Sequence, residues 1–213
     1  MKFIGFYNYT VVLTYLSLIS GVLGMKFAYE GSLGTAICCL VISGICDMFD
    51  GVVARTKKNR TSDEKNFGIQ LDSLCDVVCF GAFPAVFLYF GGVNTVPGVA
   101  MLIFYILCAV IRLAFFNVLE INRQMHESGC AKSYRGLPVT SSAIILPFFY
   151  LIGLLLPDTV TTVIYYILPI LMGFLFISDF QMPKIDIAKL LRKEKSEQIS
   201  SEKQETIPEK IHL

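Results

Sequence analysis

From Val77 to Ile111 the chain carries no Lys, Arg, Asp or Glu, and from Met1 to Cys46 only Lys2, Lys26 and Glu30 are charged. About 20 consecutive apolar residues suffice for a helix to cross the hydrocarbon core of a bilayer. Inside that core the backbone must satisfy its own polar groups, which leaves helices or closed barrels. The runs here are continuous rather than alternating, so they predict helices. Six segments qualify, near 9–28, 32–54, 67–91, 95–119, 136–156 and 159–178. A composition of 54% hydrophobic and 16% charged residues agrees, because soluble domains carry roughly a quarter of their residues as charges. The expected fold class is therefore all-α, a polytopic membrane protein with six transmembrane helices and a short cytoplasmic tail.

The basic residues set the expected orientation, since cytoplasmic loops hold an excess of Lys and Arg. The loop at 55–66 has Arg55, Lys57, Lys58, Arg60 and Lys65, and the loop at 120–135 has Arg123, Lys132 and Arg135. Seven more follow Pro183, whereas the turns at 91–97 and 156–158 have none. Both termini and the basic loops are thus expected on the cytoplasmic side of the cell membrane. The predicted division is a membrane domain over 1–182 and a polar, partly disordered tail over 183–213. The early tail, with Ile185, Ile187, Leu190 and Leu191 among basic residues, reads as a short helix on the membrane surface.

A net charge of +1, with its basic residues divided among loops, argues against nucleic acid as a partner. Cys38, Cys39, Cys46, Cys75, Cys79 and Cys108 fall within apolar runs, where a thiol behaves as a small hydrophobe. No second ligand pair accompanies them to suggest zinc.

Four carboxylates interrupt the second and third spans: Asp47, Asp50, Asp72 and Asp76. One acid at mid-membrane costs about 2.5–3.5 kcal/mol on insertion scales, so four together call for a compensating cation. At about 100° per residue, Asp47, Asp50, Gly51 and Ala54 share one helical face, and Gly68, Asp72 and Asp76 share another. If the two faces meet across the basic loop, the acids converge in one polar cleft. Oxygen-only ligation suits hard ions, Mg²⁺ or Mn²⁺, rather than zinc. Gly51, Ala54 and Gly68 remove bulk beside the acids, which suits either close helix packing or the approach of a ligand.

Asp47-Met-Phe-Asp50-Gly51-Val-Val-Ala54-Arg55, followed by Gly68-Ile-Gln-Leu-Asp72-Ser-Leu-Cys-Asp76, resembles the Asp-x-x-Asp-Gly-x-x-Ala-Arg … Gly-x-x-x-Asp-x-x-x-Asp signature of the CDP-alcohol phosphatidyltransferase family. The resemblance extends over roughly residues 5–180, with a loop between Arg55 and Gly68 that is longer than usual. It implies transfer of a phosphatidyl group from CDP-diacylglycerol to an alcohol, with release of CMP. It further implies metal ligands at Asp47, Asp50 and Asp72, with Asp76 as general base and additional metal contact. The CDP moiety would be bordered by Asp50, Gly51, Ala54, Arg55 and Gly68. Family members form homodimers, which is the expectation here.

The wider stretch Phe67–Ala85, with Arg112-Leu-Ala-Phe-Phe-Asn117 and Tyr134-Arg135-Gly136-Leu137-Pro138, resembles the branch of the family whose acceptor is serine. Arg112 and Arg135 are the candidates for binding the acceptor or a phosphate, because a planar guanidinium matches both. Glycerol 3-phosphate or an inositol phosphate is the alternative acceptor, although a phosphorylated acceptor calls for more basic residues near the site. A cation transporter is the remote alternative, since intramembrane acids also line transport pathways.

Overall fold

The computed structural model describes residues 5–7, 9–57, 60–125, 133–179 and 181–183. The chain divides into two units, one of Met1–Cys130 with Arg135–Phe180 and the other of Ala131–Tyr134 with Gln181–Leu213. The described part of the second holds most of a two-stranded pairing between β1 (Ser133–Arg135) and β2 (Gln181–Pro183). The surface helix expected near 185–191 and the polar tail beyond it lie outside the described residues.

The described residues of the first unit are mainly helical: α1 (Val12–Tyr29), α2 (Leu33–Thr56), α3 (Ser62–Asp76), α4 (Phe83–Phe90), α5 (Val96–Met125), α6 (Ser142–Gly153) and α7 (Asp158–Ile177). Among the described residues, five helical segments are long and apolar enough to cross a membrane: Tyr9–Tyr29, Leu33–Ala54, Ser62–Phe90, Val96–Asn122 and Asp158–Ile177. A shorter apolar helix, Val139–Gly153, stands where the fifth span was expected. At 1.5 Å per residue it reaches about 22 Å, less than the roughly 30 Å hydrocarbon core. Pro138 precedes its first turn and the chain turns away after Gly153. This is a multi-pass membrane protein.

The third span begins at Ser62, before the apolar run that opens at Phe67. The cause is local. Thr61 Oγ1 accepts from Glu64 N at 3.2 Å, and Glu64 Oε2 accepts from Thr61 N at 3.2 Å. This capping box satisfies donors at the helix start that would otherwise be unpaired.

Between Asp76 and α4 the same span winds as a π-helix over Val77–Ala82. A π segment inserts an extra residue per turn and is favoured where function fixes the register. Here the carbonyl of Phe80 accepts from Tyr105 Oη at 2.6 Å and from Ser142 Oγ at 3.3 Å. Two neighbouring helices therefore hold the irregular turn in place. Phe80 within it and Phe83 and Phe87 beyond it are fully buried in the common apolar core with Leu40, Tyr105 and Leu146.

Helix α1 packs most extensively on α2 and also reaches α3 and α4, whereas α2 and α3 make few backbone contacts with one another. The α1 face toward α2 is small and hydroxylic. Ser17 Oγ donates to Ser43 O at 3.1 Å and Ser43 Oγ to Ser17 O at 3.2 Å, while Ser20 Oγ donates to Cys39 O at 2.8 Å. Small residues with interhelical hydrogen bonds are how helices associate where no hydrophobic force favours one apolar partner over lipid. Gly24 sits on this face, where an added Cβ would run into the Phe83 ring and stand 3.0 Å from Cys39 Cβ. Gly24→Ala is therefore expected to destabilise the protein by about 1–3 kcal/mol through overpacking. Thermal unfolding of the purified protein in detergent measures it.

Candidate active site

The gap left between α2 and α3 is where the acids meet. The two helices run antiparallel across the loop at 57–61, so the carboxyl group of Asp47 comes within hydrogen-bonding reach of Asp76, and that of Asp50 within reach of Asp72. One carboxylate oxygen from each of Asp47, Asp50 and Asp72 lies within 4.8 Å of the others. Asp76 adjoins this triplet through Asp47. Asp50 and Asp76 are buried, while Asp47 and Asp72 are half-buried. The convergence expected from helical spacing is thus present, although it is made by side chains reaching across a cleft rather than by helices in close contact.

Two unit negative charges 4.8 Å apart repel by about 3 kcal/mol at an effective dielectric of about 20. Only a proton or a cation between them relieves this. Asp72 Oδ1 is buried and has no hydrogen-bond partner, as a ligand atom awaiting its ion would be. Three carboxylates with one unsatisfied buried oxygen form a donor set that fits a hard divalent cation. The cluster could hold a metal ion.

Thr14 on α1 was not singled out from the sequence, yet its Oγ1 donates to Asp50 Oδ2 at 2.9 Å in a buried contact. The available signal was the buried row Thr10, Thr14, Ser17, Ser20, Gly21 and Gly24, spaced three and four apart along one face of the first span. Below the acids, Ser17, Ser43 and Cys79 close a second polar layer, with Ser17 Oγ and Ser43 Oγ 2.8 Å apart and Cys79 Sγ donating to Ser17 O at 3.5 Å. On the far side, Ser73 Oγ donates to Asn117 Oδ1 at 2.6 Å and Asn117 Nδ2 to Gln70 Oε1 at 3.4 Å. These bonds tie α3 to α5 beside Asp72 and about one turn before Asp76.

The glycines separate into two kinds. A Cβ on Gly51 would meet nothing within 4 Å, so the space beside Asp50 is open. A Cβ on Gly68 would stand 2.6 Å from Arg60 Nη2. The Arg60 guanidinium thus lies over Gly68, donating from Nη1 to Ala54 O at 3.5 Å and from Nη2 to Glu64 O at 3.1 Å, with its buried Nε unpartnered. Arg60 belongs to the basic loop expected on the cytoplasmic side, and Lys57 of the same loop pairs with Glu64 at 3.0 Å. Part of that loop therefore folds back over the motif. Arg55 lies in the last turn of α2 and Arg135 in β1, and the side chains of both fall outside the described residues. Arg112 on α5 is buried, has an unpartnered Nε, and lines a cavity with Phe176, Ser178 and Asp179. Among the described residues no salt bridge joins it to the four acids.

Residues 7–179 match the family described as CDP-alcohol phosphatidyltransferase. The chain belongs to this family. Among its curated relatives within the transferases, an archaetidylserine synthase of Methanothermobacter thermautotrophicus is 31% identical over 180 residues, covering 82% of this chain and 69% of its own. A CDP-diacylglycerol–serine O-phosphatidyltransferase of Methanocaldococcus jannaschii is 35% identical over 172 residues, covering 80% and 71% respectively. One of the same name from Saccharomyces cerevisiae is 40% identical over 113 residues, covering 52% of this chain and 40% of its own. No solved structure matches the chain.

The Thr14 hydroxyl orients a carboxylate of the transferase cluster from outside it. Groups of this kind typically contribute 10–100-fold to metal affinity. Thr14→Val keeps the shape and removes the donor. It is expected to weaken Mg²⁺ binding about 10-fold or more without changing the metal-free melting temperature by more than a few degrees, as read by thermal shift across a Mg²⁺ titration.

Proposed function

We propose that this transferase moves the phosphatidyl group of CDP-diacylglycerol to L-serine, giving phosphatidylserine and CMP. The observation that carries the reading is the triplet of carboxylate oxygens within 4.8 Å across two helices, with Asp76 beside it. The relatives named for serine transfer in archaea and yeast support the choice of acceptor.

On this reading Asp47, Asp50 and Asp72 hold Mg²⁺ or Mn²⁺, with Asp76 a further contact. The ion, when bound, neutralises the donor's diphosphate and makes CMP a better leaving group. Asp50, Gly51, Ala54, Arg55 and Gly68 border the nucleotide. Arg60, lying over Gly68, exchanges its carbonyl partners for a donor phosphate, to which a guanidinium binds more strongly. Asp76 accepts the serine hydroxyl proton as the oxygen attacks the lipid-bearing phosphorus. The new P–O bond to serine forms as the P–O bond to CMP breaks, and CMP leaves with the electron pair. A positioned base of this kind contributes about 10²–10⁴-fold. Arg112 and Arg135 orient the acceptor.

The membrane supplies the donor's acyl chains, while its nucleotide and the serine come from water, so a cleft at the cytoplasmic boundary serves both. Both termini then face the cytoplasm, with residues 1–182 as the catalytic membrane domain and 183–213 as its tail. The protein acts as a homodimer, as the resemblance to the family implies.

The test is CMP release by the purified protein with CDP-diacylglycerol, Mg²⁺ or Mn²⁺, and serine, glycerol 3-phosphate or inositol phosphate in separate reactions. Release with serine alone is the expected result, and a parallel arm with a CDP-archaeol donor identifies the preferred lipid. Asp76→Asn is expected to lower turnover by at least 10² while retaining CDP-diacylglycerol binding. Normal turnover would contradict its role. Gly51→Ala separates site from fold. The added methyl meets open space and gains up to about 1 kcal/mol of helix propensity, so the melting temperature should hold or rise while the KM for the donor increases.

A further inference from the structure

Asp76 is the last residue of α3, and the π turn over Val77–Ala82 follows it directly. A proline explains that turn. In an α-helix the carbonyl of Phe80 would accept from the N–H four residues on, but that residue is Pro84. Proline has no N–H, and its ring crowds the carbonyl four residues back. The helix winds wider instead, with Phe83 N donating to Val78 O, five residues back.

Phe80 O thereby loses the donor that an α-helix would supply, at a residue with no exposure to water. Two side chains take its place. Tyr105 Oη of α5 donates to it at 2.6 Å and Ser142 Oγ, at the start of α6, at 3.3 Å. Both donors are themselves buried, so water does not compete for the carbonyl. The Tyr105 ring packs against Phe176 of α7 with centroids 5.5 Å apart, which aims the hydroxyl from a third helix.

The register of this turn decides where Asp76 points. Phe83 and Phe87 are seven and eleven positions beyond it, close to whole numbers of helical turns, so an uninterrupted α-helix would put all three on one face. Phe83 and Phe87 are fully buried in the apolar core, and a carboxylate on that face would enter it. One extra residue in the π turn rotates Asp76 by about 100° relative to Phe83. The carboxyl group then comes within hydrogen-bonding reach of Asp47 across the cleft.

We propose that Tyr105 is a positioning residue for Asp76: by holding the Phe80 carbonyl in the π turn, it keeps the end of α3 rotated so that the Asp76 carboxylate faces the cleft. Ser142, at the longer distance, is the weaker second hold. The inference rests on the reading of Asp76 as the base and adds what aims it. Tyr105 acts through the backbone of the third span and exchanges no proton in the transfer.

The test measures kcat, the acceptor KM and CDP-diacylglycerol binding at equal amounts of folded protein, with the acceptor that wild type uses in the CMP-release assay. Tyr105→Phe keeps the ring and removes the donor. It is expected to lower kcat about 10-fold or more, as a small misplacement of a reacting group does. The acceptor KM and donor affinity should stay within about twofold of wild type, and the same substitution in Asp76→Asn should change kcat by less than about twofold, because the two residues act as one unit. A role in stability alone would change the folded fraction and leave kcat per folded molecule as it was. Ser142→Ala is expected to give a smaller loss with the same pattern, and it carries the test if Tyr105→Phe does not fold. Wild-type kcat in the variant tested, a loss confined to donor binding or acceptor KM, or an equal loss in the Asp76→Asn background would overturn the proposal. Wild-type turnover by Asp76→Asn would instead remove the reading of Asp76 as the base, whereas an inactive Asp76→Asn beside a fully active Tyr105→Phe would remove only the role of Tyr105.

Discussion

Like charges gathered where water is scarce are the constraint on which the rest of this structure turns. Asp47, Asp50 and Asp72 bring carboxylate oxygens within 4.8 Å of one another, and Asp76 adjoins them. No packing of apolar side chains offsets that repulsion. A hard cation would, and the cluster could hold one.

The surrounding helices support that cluster rather than bury it. Helix α1 contributes Thr14 to Asp50 and a row of small hydroxylic residues that brings α2 close. Helix α5 anchors α3 through Asn117 and holds the π turn through Tyr105. The π turn begins immediately after Asp76, so the last acid is followed by an irregular stretch whose freed carbonyl is satisfied by side chains from two helices. α2 and α3 can therefore stay apart, leaving a cleft, because each has another partner.

Much of this was legible in the sequence. Charge-free runs located the spans, and the spacing of the acids at three and four residues put them on facing helical surfaces. Two features were not legible from hydropathy. The apolar window missed the first turn of α3, because Ser62–Asn66 are polar and the helix is started by the Thr61–Glu64 capping box instead. The fifth apolar run was long enough in sequence, but its helix is shortened by Pro138 and the turn after Gly153. Thr14 and Arg60 illustrate a different limit. A lone threonine in an apolar span and one arginine in a basic loop carry no pattern that names their partners, and only the tertiary arrangement brings them to Asp50 and Gly68.

The most direct measurement is electron paramagnetic resonance of Mn²⁺ bound to the purified protein, comparing wild type with Asp47→Asn on one helix and Asp72→Asn on the other. A single site shared by both helices predicts one bound Mn²⁺ in wild type and its loss in either variant. Retention of the same bound signal after the acid of one helix is removed would show that the two helices do not share an ion, and the account would fall.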